Sequence, residues 1–187
     1  MTIIKTIMPK RILLTLTAFF AIVTSASAQK DVSIFHRLLI TNAQNELLVI
    51  KIENTDFWVT PGLYQDKFQS VRQGLDSIAN SYGLEVSKPN LKGVFLLKRD
   101  LGGKLSASLR NVYTTEYKSG SLKAPPGIDE MKWLPINEAL QTITFPHINE
   151  MIKPISENPD EVWGGTLLQY KDGENWRVDI LEEFYIF

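Results

Sequence analysis

The chain has 187 residues, no cysteine, and nearly balanced charge, with 20 Lys and Arg against 21 Asp and Glu. The absence of cysteine excludes disulfides, thiol catalysis and zinc sites built from cysteine. The chain also lacks the excess of basic residues with which proteins bind nucleic acid or anionic membrane surfaces, so we expect no nucleic-acid partner.

The first 28 residues have the three-part pattern of a cleavable signal peptide. Three basic residues precede an apolar run at 12–23, and Ala26 and Ala28 follow as the small residues before a cut at Gln29. The apolar run of 12 residues is shorter than the roughly 20 that a spanning helix needs. We therefore expect an exported mature protein, periplasmic or secreted, with a net charge of −4 and no membrane insertion after signal cleavage.

The first half of the mature chain predicts a hairpin and a helix. The apolar runs 34–40 and 47–52 are joined by an Asn-containing turn, which is typical of a β-hairpin, and 57–59 is a short extended segment. Between 69 and 81 apolar residues recur at the spacing of one helix face. Gly83 stands just beyond it, where a glycine commonly ends a helix.

The second half predicts two more hairpins and two helices. The predicted strands are 91–98, 105–118, 130–134, 162–170 and 176–187, and the predicted helices are 136–142 and 146–155. This order of elements is typical of an α/β protein. We expect one domain at 29–160 and a C-terminal β-hairpin at 161–187 that packs on it.

Three short motifs, in this order, resemble the Nudix hydrolase family. They are Trp58-Val59-Thr60-Pro61-Gly62, Tyr82-Gly83-Leu84 at the end of the predicted helix, and Glu130-Met131-Lys132-Trp133. The resemblance extends from Phe35 to about Ile155. It implies an α/β fold of the Nudix-like α/β/α sandwich type with a mixed sheet, to which the C-terminal β-hairpin is added.

The glutamates on which catalysis in that family depends are missing from this sequence. Phe68 replaces the upstream Glu of the family's box. Asp76 and Ser77 replace its Arg and the Glu that follows, and Asn80 and Ser81 replace its later Glu pair. In the family these carboxylates hold Mg²⁺ or Mn²⁺, which activates water to attack a diphosphate. The resemblance therefore implies a Nudix fold with a degenerate box, and we expect no metal site and no cofactor.

Two alternatives remain open. A divergent hydrolase of diphosphate-linked compounds would require Mg²⁺ or Mn²⁺ and would use Asp66, Asp76 and Glu130 as its catalytic acids. Acidic residues are, however, mostly solvated surface groups. An envelope interaction module would instead bind a protein partner through the C-terminal strands.

The favoured hypothesis is a non-catalytic protein that binds a small anionic or aromatic, nucleotide-like ligand. Its candidate binding residues surround the loop where Nudix relatives hold phosphates, and they are Arg37, Lys51, Trp58, Tyr64 and Phe68. Arg and Lys would hold an anion through charge-assisted hydrogen bonds, and the aromatic rings would stack on a planar group. Alternatively, these residues serve the fold and not a ligand. Trp58 would then be a core residue, Arg37 would pair with a neighbouring acid, and Phe68 would occupy the volume of the missing glutamate.

Overall fold

Ten strands and three helices make up the part of the chain that the computed structural model describes, residues 32–187. The strands are β1 (Ser33–Thr41), β2 (Glu46–Ile52), β3 (Trp58–Val59), β4 (Gly62–Tyr64), β5 (Leu84–Val86), β6 (Asn90–Leu101), β7 (Lys104–Gly120), β8 (Ile128–Pro135), β9 (Trp163–Asp172) and β10 (Asn175–Ile186). The helices are α1 (Val71–Ser81), α2 (Ile136–Thr142) and α3 (Pro146–Glu157).

The predicted signal peptide and its cleavage site before Gln29 lie outside the described residues. Within residues 32–187, no helix has the length and apolar character needed to cross a bilayer. Export and signal cleavage therefore remain predictions from the sequence.

The strands form one mixed sheet. Its main order is β10-β9-β6-β7-β1-β2-β3, with β4 paired to β1, β5 to β7 and β8 to β2. The pairs β1 with β7 and β6 with β9 are parallel, and the other pairs are antiparallel. Parallel pairing requires crossover connections, which bring residues far apart in the sequence onto neighbouring strands.

Helices cover both faces of this sheet. Successive side chains of a strand point to opposite faces, so Leu38 packs with α1 while its neighbour Leu39 packs with α2 and α3. On the α1 side, Leu75 and Ile78 are buried against β1 and β2. On the other side, α3 is buried over β6, β7 and β9. These layers confirm the predicted α/β sandwich with a mixed sheet.

Helix α1 begins where its capping residue allows. The Ser70 side chain accepts a hydrogen bond from the backbone N–H of Gln73 at 3.2 Å, and the Gln73 side chain accepts from the N–H of Ser70 at 2.8 Å. This capping box satisfies two N–H groups that a helix start otherwise leaves without partners. The helix therefore starts at Val71, two residues after the predicted start.

The first predicted hairpin is only a short ladder. β1 and β2 pair at a single position, Thr41 with Leu47. Toward the N-terminal end of β1, its edge is occupied by β4, which places Phe35 opposite Tyr64 and Arg37 opposite Gly62. The short strand β4 thereby brings Tyr64 beside β1, at the side of the pocket described below.

The C-terminal hairpin is present and belongs to the sheet. β9 pairs in parallel with β6, and β10 pairs with β9 at the sheet's edge. The register places Gln169 of β9 beside Arg99 of β6. The hairpin thus extends the sheet that holds the pocket.

Candidate functional site

A pocket of about 250 Å³ lies on the α3 side of the sheet, at the point where α3 begins. Eight strands and the start of α3 contribute to its wall, with side chains that include Phe35, Arg37, Tyr64, Arg99, Arg110, Phe145, His147, Gln169 and Trp176. Three of these residues are arginines, and we call the site the arginine pocket. No residue of α1 is among its lining residues.

Strand alternation explains why three arginines meet there. Arg37, Arg99 and Arg110 each lie two positions from a buried apolar residue of the same strand, which puts them on the core-facing side of the sheet. Helix α3 covers the apolar positions of that face. Beyond the start of the helix the same face continues, and there it carries the guanidinium groups.

Arg37 is held tightly and has no acidic partner among residues 32–187. It is 3% exposed, and its Nη1 donates to the carbonyl oxygen of Thr60 at 3.1 Å and to the hydroxyl Oγ1 of Thr60 at 2.5 Å. Its Nε is buried without a hydrogen-bond partner. The guanidinium carbon lies 5.2 Å from the ring centroid of Phe35.

Arg110 is buried beside the same aromatic ring. It is 2% exposed, and its Nε donates to the Ser108 hydroxyl at 3.0 Å. Its guanidinium carbon lies 4.6 Å from the Phe35 ring centroid and 5.6 Å from that of Tyr64. Cation–π contacts of this kind stabilise a charge, but they leave its hydrogen-bond donors free.

Arg99 completes the cluster through a shared hydroxyl. Its Nη2 and the Nη2 of Arg110 each lie 3.4 Å from the hydroxyl oxygen of Tyr64, so both donate to one oxygen over a long distance. The Nε of Arg99 is buried without a partner. Several N–H donors of this cluster are thus unpaired or weakly paired.

The positive charge of the pocket is not neutralised by any carboxylate in the described part of the chain. None of the three arginines forms an ion pair there, and no Asp or Glu lines the pocket. Burial and then the neighbouring guanidinium charges lower the pKa of Arg37 to about 9 and that of Arg110 to about 10. Both remain protonated at pH 7. Buried charge without a partner is costly, and an anion in the pocket would remove that cost.

His147 adds a neutral polar group at the start of α3. Burial, followed by the charges of Arg37, Arg110 and Arg99, lowers the pKa of this imidazole well below its usual 6.5. It is therefore uncharged at pH 7, and its Nδ1 is buried without a hydrogen-bond partner. The positive end of the α3 dipole lies at the same place and also favours an anion.

Of the five ligand-binding residues predicted from the sequence, the structure brings Arg37 and Tyr64 into the pocket. Lys51 lies elsewhere, because its ammonium pairs with Asp56 at 3.4 Å and Glu130 at 3.7 Å. Its charge is already neutralised by these two acids.

Trp58 and Phe68 also lie outside the pocket lining. Trp58 packs against the core on the α3 side, and the ammonium of Lys132 lies 4.5 Å from its ring centroid. Phe68 is 86% exposed, with the ammonium of Lys67 4.8 Å from its ring centroid. The structural alternative considered for Trp58 matches this packing, whereas Phe68 is at the surface and does not fill an internal space.

Sequence reasoning missed most of the pocket, namely Arg99, Arg110, His147, Gln169 and Trp176. The sequence did contain a signal, because strand alternation predicts a buried apolar residue at an inward position and an arginine there indicates a buried charge instead. Arg99 and Arg110 both stand at such positions in β6 and β7.

Solved structures with a related fold were found, although no protein-family model and no curated protein matches the chain. A mutator MutT protein from Bacillus halodurans superposes with a TM-score of 0.62 at 18% identity, over 79% of this chain and 98% of that one. A UDP-X diphosphatase gives 0.55 at 13%, over 82% and 74%. A NUDIX hydrolase from Nitrosomonas europaea gives 0.56 at 14%, over 68% and 90%. The chain has a Nudix-like fold.

The residues of α1 do not fit the divalent ion that a Nudix fold implies. The hydroxyls of Ser77 and Ser81 donate to carbonyl oxygens of their own helix at 2.7 and 2.8 Å. Asp76 pairs with Arg72 at 3.8 Å on the exposed side of the helix. Among residues 32–187, no group of three or more His, Cys, Asp or Glu is arranged to hold a metal ion.

The acids considered for a divergent Nudix hydrolase are engaged separately. Asp66 accepts a hydrogen bond from the backbone N–H of Phe68 at 2.7 Å. Glu130 pairs with Lys51 at 3.7 Å and with Lys132 at 3.3 Å. Neither these acids nor any other Asp or Glu of residues 32–187 lines the arginine pocket. Its described residues therefore combine cationic and aromatic groups without a carboxylate that could act as a general base.

Proposed function

We propose that the protein binds a small anionic ligand in the arginine pocket, directly through guanidinium groups and without a divalent metal. One observation carries this proposal: three arginines converge on one pocket that no Asp or Glu among residues 32–187 lines. A pocket that kept this charge only for stability would be expected to contain a carboxylate, since buried ions are ordinarily paired.

The donors suit a phosphate or carboxylate. Guanidinium groups present planar pairs of N–H donors that match two oxygens of such an anion. Hydrogen bonds to charged groups contribute roughly 1.5–3 kcal/mol each, and association entropy opposes them. Two or three such bonds contribute at most about 9 kcal/mol, so the affinity they support is micromolar at best once the association entropy is subtracted.

The absence of the box glutamates supports a binding role over hydrolysis. In a metal-dependent mechanism the ion polarises the diphosphate and activates water, and the side chains of α1 that stand at those positions are Ser and Asn. The signal-peptide pattern at 1–28 supports an exported protein, so we place this binding function in the periplasm or outside the cell.

Ligand-induced stabilisation tests the proposal. The melting temperature of the mature protein is measured in EDTA with inorganic phosphate, phenyl phosphate, AMP and citrate, and hits are titrated by calorimetry. At least one anion should raise the melting temperature, because a ligand that binds only the folded state stabilises it. Arg99→Ala should abolish the increase.

Lys98→Ala is the matched control. Lys98 adjoins Arg99 on β6 but is not among the pocket lining, because adjacent strand residues point to opposite faces. This variant removes the same formal charge and should keep the increase. If no anion stabilises the protein, or if both variants lose binding equally, the arginine pocket is not the binding site.

A further inference from the structure

The arginine pocket has an aromatic wall as well as a charged one. Phe145 precedes α3, and its ring lies 5.1 Å from that of Trp176 on β10, at an interplanar angle of 67°. Phe57 extends the cluster, with 5.0 Å between its ring centroid and that of Phe145. Phe145 and Trp176 both line the pocket, so a ligand held by the arginines can lie against aromatic rings.

The charge of the pocket favours a dianion over a monoanion. Arg37, Arg99 and Arg110 contribute three positive charges at pH 7, and no carboxylate pairs with them among the described residues. A carboxylate brings a single negative charge, whereas a phosphate monoester carries about −1.5 to −2 at pH 7 and three acceptor oxygens. The phosphate thus compensates more of the charge and occupies more of the free donors.

The size of the pocket limits what accompanies the phosphate. Its volume of about 250 Å³ lies below the roughly 300–1,000 Å³ typical of sites for drug-sized ligands. One phosphate group and one ring suit this space, whereas a diphosphate joining two larger groups does not. The unpartnered Nδ1 of His147 offers a hydrogen bond to a polar substituent of the ring.

We infer that the ligand of the arginine pocket is an aromatic phosphate monoester, and that the C-terminal hairpin selects its ring through Trp176. This inference rests on the proposed function, because it assigns the phosphate to the same arginines. The hairpin thereby gains a role in recognition. Trp176, over whose ring the ammonium of Lys171 lies 5.0 Å from the centroid, supplies an aromatic contact to the ligand, while Arg37, Arg99 and Arg110 hold the phosphate oxygens.

Three phosphate monoesters separate ring recognition from phosphate binding. Calorimetric titrations in EDTA compare methyl phosphate, cyclohexyl phosphate and phenyl phosphate, which share the charged group and differ in the attached group. Phenyl phosphate should bind about threefold to tenfold more tightly than cyclohexyl phosphate, since ring–ring contacts contribute beyond the buried area. Equal affinities for these two esters would overturn the inference.

Variants of the hairpin then test Trp176 directly. Trp176→Ala should remove the preference for phenyl phosphate and leave the affinity for methyl phosphate unchanged. Trp176→Leu, which keeps an apolar side chain on the edge strand, provides the same test if the alanine variant does not fold. Tyr170→Ala is the matched control, because Tyr170 is an aromatic residue of the same hairpin that lies outside the pocket lining. Its hydroxyl donates to Asp179 at 3.3 Å. This variant should keep the affinities for both phenyl phosphate and methyl phosphate.

The outcomes distinguish this inference from the proposed function. If all three esters bind equally and Arg99→Ala abolishes each, the anion site stands and aromatic selection is refuted. If a preference for phenyl phosphate persists in both Trp176 variants, the hairpin does not select the ring. If no ester binds but citrate does, the aromatic phosphate is refuted and the anion site stands. If neither the esters nor citrate bind, or if Arg99→Ala leaves binding intact, the proposed function itself fails.

Discussion

The guanidinium of Arg110 donates to the hydroxyl of Tyr64 over 3.4 Å, although the two residues are 46 positions apart in the chain. Arg99 reaches the same oxygen at the same distance. Burial by itself would raise the pKa of Tyr64, but the two guanidinium charges and their hydrogen bonds outweigh it and lower that pKa below 10. Tyr64 is therefore a reporter of the positive charge in the pocket.

Alkaline titration of tyrosine absorbance should detect this directly. The difference between the wild-type protein and Tyr64→Phe should show one phenol that ionises below pH 10. Tyr82→Phe is a contrasting variant, because burial raises the pKa of Tyr82 to about 12, and its removal should delete a group that ionises late. A Tyr64 that titrates above pH 10 would contradict the charge distribution described for the pocket.

Replacing a pocket arginine should stabilise the protein without ligand. Arg110→Met removes a buried, unpaired charge and keeps a long apolar side chain. We therefore expect the free energy of unfolding, measured in urea, to rise by about 1 kcal/mol or more. Lys98→Met, at a position outside the pocket lining, should change stability by less than about 0.5 kcal/mol. Destabilisation by Arg110→Met would mean that this arginine serves the fold, because its contacts with Phe35 and Ser108 would then outweigh the cost of its charge.

His147 should make the unliganded protein sensitive to acid. Its pKa in the folded state lies well below the usual 6.5, because the imidazole is buried and faces Arg37, Arg110 and Arg99. The unfolded chain therefore binds this proton more readily, and stability is lost as the pH falls below about 6.5. The free energy of unfolding of His147→Gln relative to that of the wild type, measured in denaturant titrations, should therefore increase as the pH is lowered from 7.5 to 5. A stability difference that does not change with pH would show that His147 is not the responsible group.

Addition of Mg²⁺ or Mn²⁺ should produce no hydrolysis of nucleoside triphosphates, dinucleoside polyphosphates or sugar nucleotides above the buffer rate. The Ser and Asn side chains of α1 lack the several carboxylates that hold such ions. Release of phosphate or diphosphate, assayed at high protein concentration, checks this expectation. Metal-dependent turnover that is lost in Asp76→Ala or Glu130→Ala would instead establish the divergent-hydrolase alternative.

Export should yield a mature protein that begins at Gln29. The basic residues, the apolar run at 12–23 and the small residues Ala26 and Ala28 together match the pattern that signal peptidase recognises. N-terminal sequencing of protein recovered from the periplasm or the medium measures the cleavage site. Recovery of the intact chain in the membrane fraction would contradict both the cleavage and the proposed location.

Local sequence patterns sufficed for much of the fold. The helical spacing of apolar residues predicted α1 to within two residues of its start, and strand alternation together with turn residues predicted the later hairpins. The loss of the box glutamates was also readable, because that resemblance depends on residue types at short spacing. These features involve neighbours in the chain, whose relative positions the backbone geometry determines.

The site was decided by contacts between distant segments. Position within a strand determines which face a side chain occupies, but it does not determine which strands become neighbours. The parallel pairing of β1 with β7 and the antiparallel pairing of β6 with β7 bring Arg37, Arg110 and Arg99 together. Pairing of β2 with β8 places Lys51 opposite Glu130. The charge of Lys51, a residue close in sequence to the Pro61-Gly62 loop, is therefore neutralised outside the arginine pocket. The sequence by itself determined the missing metal ligands and most of the elements, although not the short strands β4 and β5. Only the tertiary structure decided which charges remain unpaired, because charge pairing depends on spatial neighbours.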